Sequence, residues 1–390
     1  MQAESGRLAE KDKLVFVDWL RGLAILLVIV VHHSQRFPDL PSVRTIASYG
    51  QLGVQLFFVA SAFTLCLSAD ARRQESHATR NFYLRRLIRI APLYYFGIFF
   101  YLAMYMVREG IPQNGYPGLY TPVNIIANLL FVHSFVPGAF NGVVPGGWSI
   151  GTEMTFYAIF PFLHGWFAAA YDRYGIRALV ASPAVGIAVA AALECGLYRY
   201  AGKGISNNNL VYCNILNQLP VFLIGMSAYF VIRDGAPPLR PMRDLAALLI
   251  LGTSSFLLLH LGEEGRLPAA AFTLLPATAA LSFVFVLNLA RSGTIVTRSL
   301  WLARVGQLSY SMYIFHFAFA WVLTSSILRL FELSVRAQAV LYLPTLLLSV
   351  LASLAVAKLS KRQIEDRFID KGKRLIRYLD SRVPPGGTRS

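Results

Sequence analysis

The first apolar stretch of the chain, FVDWLRGLAILLVIVVHH, carries Asp18, Arg21 and His32. At about 100° per residue their spacing puts all three within about 40° of one helix face, with about 16 Å of rise between Arg21 and His32. His33 points away from that face. An ionisable residue inside a membrane span costs several kcal/mol, so each is a candidate for function until a partner accounts for it. A histidine so placed suits general-base work. The same spacing also fits an Asp18–Arg21 ion pair with His32 reaching the interface.

Glu153, in GGWSIGTEMTFYAIFP, enters a second span from the opposite side. Counted by helix rise it lies about as deep as His32. A carboxylate at that depth is expected to pair with the imidazole and support its protonated form, as a base near neutral pH requires. The alternative is hydrogen bonding to neighbouring helices.

Arg85, Arg86 and Arg89 in YLRRLIRIAP stand at the mouth of a third span, with Arg86 and Arg89 on one face. Paired guanidinium groups grip phosphate oxygens bidentately, although the same residues also serve topology. In VGQLSYSMYIFHF, Ser309, Tyr313 and His316 recur at helical spacing and form a polar stripe that suits either a ligand or interhelical hydrogen bonds.

Helices must position these groups, and the composition says in what solvent. The 390 residues are 56% hydrophobic and 14% charged, and the apolar residues recur in blocks long enough to span a bilayer. A soluble globular domain is excluded. The net charge of +16 comes from basic residues between the blocks, which fits positive-inside topology rather than nucleic-acid binding.

The sequence therefore predicts an all-α integral membrane protein, a bundle of about ten transmembrane helices. Spans are expected near 14–33, 50–68, 90–107, 148–170, 178–196, 212–232, 245–261, 268–290, 306–328 and 338–357. With both termini cytoplasmic, most of the 36 Lys and Arg lie inside. Asn124 to Val136 is apolar but too short to cross, and reads as a re-entrant or interfacial helix in the long outer loop.

The expected organisation is a cytoplasmic N-terminal segment over 1–13, a membrane domain over 14–357 and a basic cytoplasmic tail over 358–390. The tail is expected along the inner membrane surface, fraying at Pro384. The first block carries Asp18 and Arg21 without a convincing cleavage site, so it is expected to stay in the mature protein. Cys66, Cys195 and Cys213 lack the clustering of a disulfide framework or zinc site, so no metal is expected. A single Cys195–Cys213 bridge stays open.

Taken together, these segments resemble acyltransferase family 3, membrane acyltransferases of cell-surface glycans, Nod factors and macrolides. The matching motifs, in order, are FVDWLRGLAILLVIVVHH, FFVASAF with RRLIRIAPLYY, GGWSIGTEMTFY, and LSYSMYIFH. By that resemblance the family's Arg and His with ten residues between them fall on Arg21 and His32. Its RxxR falls on Arg86 and Arg89, and the glutamate of its WS-and-FY motif is Glu153. Departures are Ala62, Gly151, Thr152 and the closing Glu365-Asp366-Arg367.

The resemblance implies an acyl-CoA-dependent O-acyltransferase of the inner membrane that uses no bound cofactor. A short acyl group, most readily acetyl, would pass from cytoplasmic acyl-CoA to a hydroxyl of a saccharide or glycolipid. His32 and Glu153 would be catalytic, and Arg21, Arg86 and Arg89 would bind donor. Asp18, Trp148, Ser309, Tyr313 and His316 would support them. A direct transfer and an acyl-histidine intermediate both fit. Relatives with an added hydrolase-like domain are longer, so the membrane domain here is expected to act alone or with a partner. The outer loop from Glu109 to Gly147, with Tyr116, Tyr120, Phe140 and the adjoining Trp148, is expected to help select the acceptor. A transporter or flippase would use the same intramembrane charges, though such folds often carry internal repeats, and none is seen.

Overall fold

The structure, a computed structural model, describes residues 2–109, 119–136, 138–201, 212–235, 241–268, 271, 273–291, 300–331 and 334–382. Tyr116 and Pro384 lie outside them. The described residues are overwhelmingly helical, with no strand among them. The long helices are α1 (Gln2–Ser34), α3 (Gly53–Ala71), α4 (Ala78–Glu109), α6 (Gly147–Tyr174) and α7 (Ile176–Ala201). They continue with α8 (Ile215–Arg233), α9 (Pro241–Glu263), α10 (Leu274–Arg291) and α14 (Val335–Ser360).

Among the described residues, eight helical stretches are long and apolar enough to cross a membrane. The helix over 147–174 stands where the fourth span was expected but is not among the eight, and Leu274–Arg291 contributes only a short apolar stretch, Leu274–Val286. An all-α multi-pass bundle is thus shown, while the count of about ten goes beyond what length and composition establish.

The ninth expected span is built in pieces. A short helix α11 (Leu300–Gln307) precedes α12 (Ser309–Phe317), which runs through a π-helical turn (Ala318–Leu323) into α13 (Thr324–Phe331). A π-turn shifts the faces of the helix on either side of it and is frequent at functional sites. Helix α11 packs on α1 at nearly backbone distance. A Cβ on Gly306 would stand 1.7 Å from the carbonyl oxygen of Asp18, and one on Gly22 would stand 2.1 Å from that of Leu302. Small residues that let backbones meet are the usual device for packing helices in lipid, where no hydrophobic force draws them together.

The expected re-entrant segment forms a short helix α5 (Pro122–Leu129), capped by the Thr121 side chain, followed by a 3-10 turn (His133–Phe135). Asn128 and His133 of this segment are buried and hydrogen bonded, the latter through Nε2 alone. Asn128 accepts from Tyr94 at 2.6 Å and donates to Ala139 at 3.2 Å, while the His133 Nε2 meets the Gly147 carbonyl at 2.9 Å. This explains Gly151 in the fourth-span motif, since a Cβ there would lie 2.7 Å from the His133 Nε2. Thr152 is occupied likewise, donating to the Cys213 carbonyl at 2.9 Å. The three cysteines are unbridged.

The tail has a helix partner that its sequence did not announce. Through a π-turn (Lys361–Glu365), α14 continues into α15 (Asp366–Ser381), which packs on the first turns of α4. Asn81 and Arg80 both reach Asp380, the latter at 2.5 Å. A Cβ on Gly372 would meet Ile88 at 2.8 Å.

Candidate functional site

Three cavities lie in succession through the bundle. The one at the basic end is about 550 Å³ and is lined by Ser68 of α3, by Arg72 just past its end, by Arg85, Arg86 and Arg89 of α4, and by residues of α15. A narrow central cavity of about 80 Å³ shares Arg86 and Arg89 with it and adds Arg21, Ser61, Glu153, Tyr157, Ser309 and Tyr313. The third, about 790 Å³ at the opposite end, shares Val54 and Tyr313 with the central one and adds His32, Gln35, Asn141, Trp148 and Trp321.

Helix α1 supplies the axis of this arrangement. Arg21 donates to Thr64 Oγ1 at 3.1 Å, and its nearest approach to Asp18 is 4.0 Å. Asp18 in turn accepts from Gln307 at 3.0 Å, so the Asp18–Arg21 contact is loose and each residue is also held by a neighbouring helix.

About three turns further on, the His32 Nδ1 lies 3.3 Å from Gln35 Oε1, and Trp321 donates to the His32 carbonyl at 3.0 Å. The ring packs 4.2 Å from Phe317 and 5.3 Å from His316, centroid to centroid. His33 turns the other way, as its helix position requires. It is fully buried against Tyr342, Thr345 and Thr324, at 3.2 to 3.3 Å.

Glu153 does not reach His32. Among the described residues no hydrogen bond or ion pair joins them, and the carboxylate accepts instead from Ser61 at 2.5 Å and from Tyr157, one turn along its own helix. Helix rise speaks only to depth, and it leaves open which neighbour a side chain meets. Here α3 supplies Ser61 as the partner, and the imidazole faces the outer cavity. Glu153 therefore shares the narrow centre with Arg21, Arg86 and Arg89. Ions there need close partners to offset the loss of water.

The basic and polar groups flagged on α4 and α12 divide similarly. Arg85 is spent on Glu75, at 2.9 and 3.2 Å. Arg86 stacks on Phe82 and Tyr157, 5.7 and 5.6 Å from their ring centres, and its Nε is buried without a hydrogen-bond partner. Tyr313 bonds Ser149 at 2.7 Å and donates to Gly146 at 3.0 Å, so the polar stripe closes the wall between the two upper cavities. Gly146 has φ +76, and a Cβ there would meet Phe317 at 2.9 Å, which only glycine avoids.

His316 donates Nδ1–H to the Tyr313 carbonyl at 2.7 Å, leaving its buried Nε2 without a partner. Trp148 lines the outer cavity, packed edge-on against Phe58 and Tyr212. Of the loop residues, Tyr120 is buried and bonded to the Val143 carbonyl at 3.1 Å, so it stabilises the loop rather than facing the cavity, and Phe140 is absent from the cavity wall. Asn141 takes that place and also accepts from the Gly146 amide at 2.9 Å.

Sequence reasoning passed over Ser61, Thr64, Tyr157, Gln35 and Trp321. Tyr157 was reachable from its i+4 relation to Glu153, and Gln35 from its i+3 relation to His32. Ser61 and Thr64 were not, because only tertiary packing selects which side of α3 meets Glu153 and Arg21. No group of three or more His, Cys, Asp or Glu among the described residues could hold a metal ion.

Fold and site together define a multi-pass membrane protein with a polar line of cavities through its centre. The chain belongs to the acyltransferase domain family known as acyltransferase family 3, whose model matches residues 14–358, so it is a membrane acyltransferase. It is 26% identical over 332 residues to Acyltransferase MdmB of Streptomyces mycarofaciens, covering 78% of each chain. To Protein 2 in the picA locus of Rhizobium radiobacter it is 27% identical over 192 residues, 46% of this chain and 92% of that one. To the exopolysaccharide production protein ExoZ of Rhizobium meliloti it is 33% identical over 114 residues, 28% of this chain and 33% of that one. No solved structure matches it.

Proposed function

We infer that the protein is an acyl-CoA-dependent O-acyltransferase that moves a short acyl group, acetyl in the simplest case, onto a saccharide or glycolipid hydroxyl. The carrying observation is the succession of cavities, linked by Arg86 and Arg89 at one junction and by Val54 and Tyr313 at the other. Positive-inside topology makes the basic end cytoplasmic, with both termini on that side of the inner membrane. The donor enters there with its phosphates on Arg86 and Arg89. Only the slender pantetheine arm passes the narrow centre, beside Arg21 and Glu153, to present the thioester near His32. The similarity to an exopolysaccharide production protein favours a saccharide acceptor, taken in the outer cavity against Trp148 and Asn141.

An alcohol is a poor nucleophile at neutral pH, and a positioned base contributes on the order of 10² to 10⁴ in rate. With Nδ1–H donated to Gln35, the His32 Nε2 keeps its lone pair and takes the hydroxyl proton as oxygen attacks the thioester carbonyl. The C–O bond forms, the C–S bond breaks, and the proton passes from Nε2 to the departing thiolate. Glu153 takes no part in that transfer and acts as counter-charge to the arginines of the passage.

Purified protein given labelled acetyl-CoA tests the reading. Consumption of the thioester, with label recovered on a saccharide acceptor, is expected. An intact thioester, with acceptor and protein both competent for binding, would overturn it.

A further inference from the structure

The cavity at the basic end has a wall that the donor-binding motif does not contain. Ile369, Gly372, Lys373, Ile376 and Arg377 of α15 face Arg72, Arg85, Arg86, Ile88 and Arg89 across about 550 Å³. Helix α15 is held there on purpose-built contacts. Gly372 lets it approach Ile88 more closely than any side chain would permit, and Asp380 bonds Arg80 at 2.5 Å and Asn81 at 3.1 and 3.2 Å.

The charges lining this space are unequal in what they have left to give. One carboxylate, Glu75, serves both Arg72 and Arg85. Lys373 is met by Asp370 at 2.9 Å at the exposed rim. Arg377 uses its Nε on the Lys373 carbonyl at 3.3 Å, which leaves both terminal nitrogens of the fork available. No carboxylate is among the described lining residues. The isoleucines form an apolar wall beside the cations.

We propose that α15 completes the donor site, with Lys373 and Arg377 gripping phosphates of the nucleotide end of acyl-CoA opposite Arg86 and Arg89, and with Ile369 and Ile376 against the base. The proposal rests on the acyl-CoA reading above. It adds that the C-terminal helix is a binding element as well as a cytoplasmic tail. A diphosphate plus a ribose phosphomonoester carries several negative charges at neutral pH, which a single RxxR pair leaves partly unmatched. Two helices closing from opposite sides match them.

The test uses the full chain in nanodiscs of phosphatidylcholine, with calorimetric binding of CoA and of 3′-dephospho-CoA. A Lys373→Ala, Arg377→Ala variant is compared with Lys371→Ala, Arg374→Ala, which removes the same charge from the same helix outside the cavity. The first variant should bind CoA at least ~10-fold more weakly and lose less for 3′-dephospho-CoA, while the second stays within ~2-fold of wild type. Equal losses in both variants, or none in either, would overturn the proposal. So would a loss seen only when phosphatidylglycerol is added, which would assign the cavity to a lipid headgroup. If wild-type protein binds no CoA at all, the donor reading itself falls and takes this one with it. A loss confined to Arg86→Ala, Arg89→Ala would leave that reading standing and sink only the role of α15.

Discussion

The imidazole rings of His32 and His316 lie 5.3 Å apart, although 284 positions separate them in the chain, and Phe317 packs 4.2 Å from both. The two histidines differ in what holds them. His32 has a side-chain amide as partner and a wall of the outer cavity; His316 has a backbone carbonyl and a buried, unpartnered Nε2. This places the proposed base beside a second imidazole and away from the expected glutamate.

His32→Ala should lower acyl transfer by about 10² to 10⁴ while leaving CoA affinity and folding intact, since the base acts only on the reacting hydroxyl. Transfer rates and calorimetric donor binding on the same preparation check this. A near wild-type rate would return His32 to a packing role.

His33→Ala should show the opposite pattern. Its ring is buried with partners on two other helices, so the variant should lose about 1 to 3 kcal/mol of stability and keep its rate once folded. Thermal unfolding in detergent alongside kcat separates the two effects.

Glu153→Gln should slow transfer without moving the pH midpoint of the rate profile, because the carboxylate touches Ser61 and Tyr157 instead of the imidazole. Removing a carboxylate paired with the base would instead lower that midpoint, as its negative charge favours imidazolium. Gln35→Leu should leave KM for donor unchanged and lower kcat, by roughly 10-fold if one orienting hydrogen bond of about 1.4 kcal/mol is lost.

Gly306→Ala should destabilise the protein by roughly 1 to 3 kcal/mol or more, because its Cβ would overlap the Asp18 carbonyl at 1.7 Å and neither backbone can yield cheaply. Urea or thermal unfolding of the purified protein measures it. Gly165→Ala, where nothing lies within 4 Å, is the matched control and should be neutral or slightly stabilising.

How much of this was legible in the sequence depends on which coordinate a residue pattern reports. Periodicity and span length placed Arg21, His32 and Glu153 on helices, and the four-residue spacing put Ser309 and Tyr313 together on the wall of the central cavity. Azimuth was another matter. Which neighbour a face meets is decided by packing, and the glycine contacts that set α11 against α1 leave only a Gly in the sequence. The short helix over 122–129 was legible as too short to cross. The contact of α15 with α4 was not legible, because a basic amphipathic pattern looks the same whether one of its faces meets lipid or another helix.

The narrow centre has a consequence for the cell that makes this protein. An opening through a membrane enzyme risks short-circuiting the ion gradients that the same bilayer maintains. Here the space between the two large cavities is only about 80 Å³ and is bordered by three guanidinium groups. With Glu153 as the one carboxylate among those lining residues, the local charge is net positive and disfavours small cations. On the proposed function, a carbon fragment would cross the bilayer through a passage that stays electrically tight.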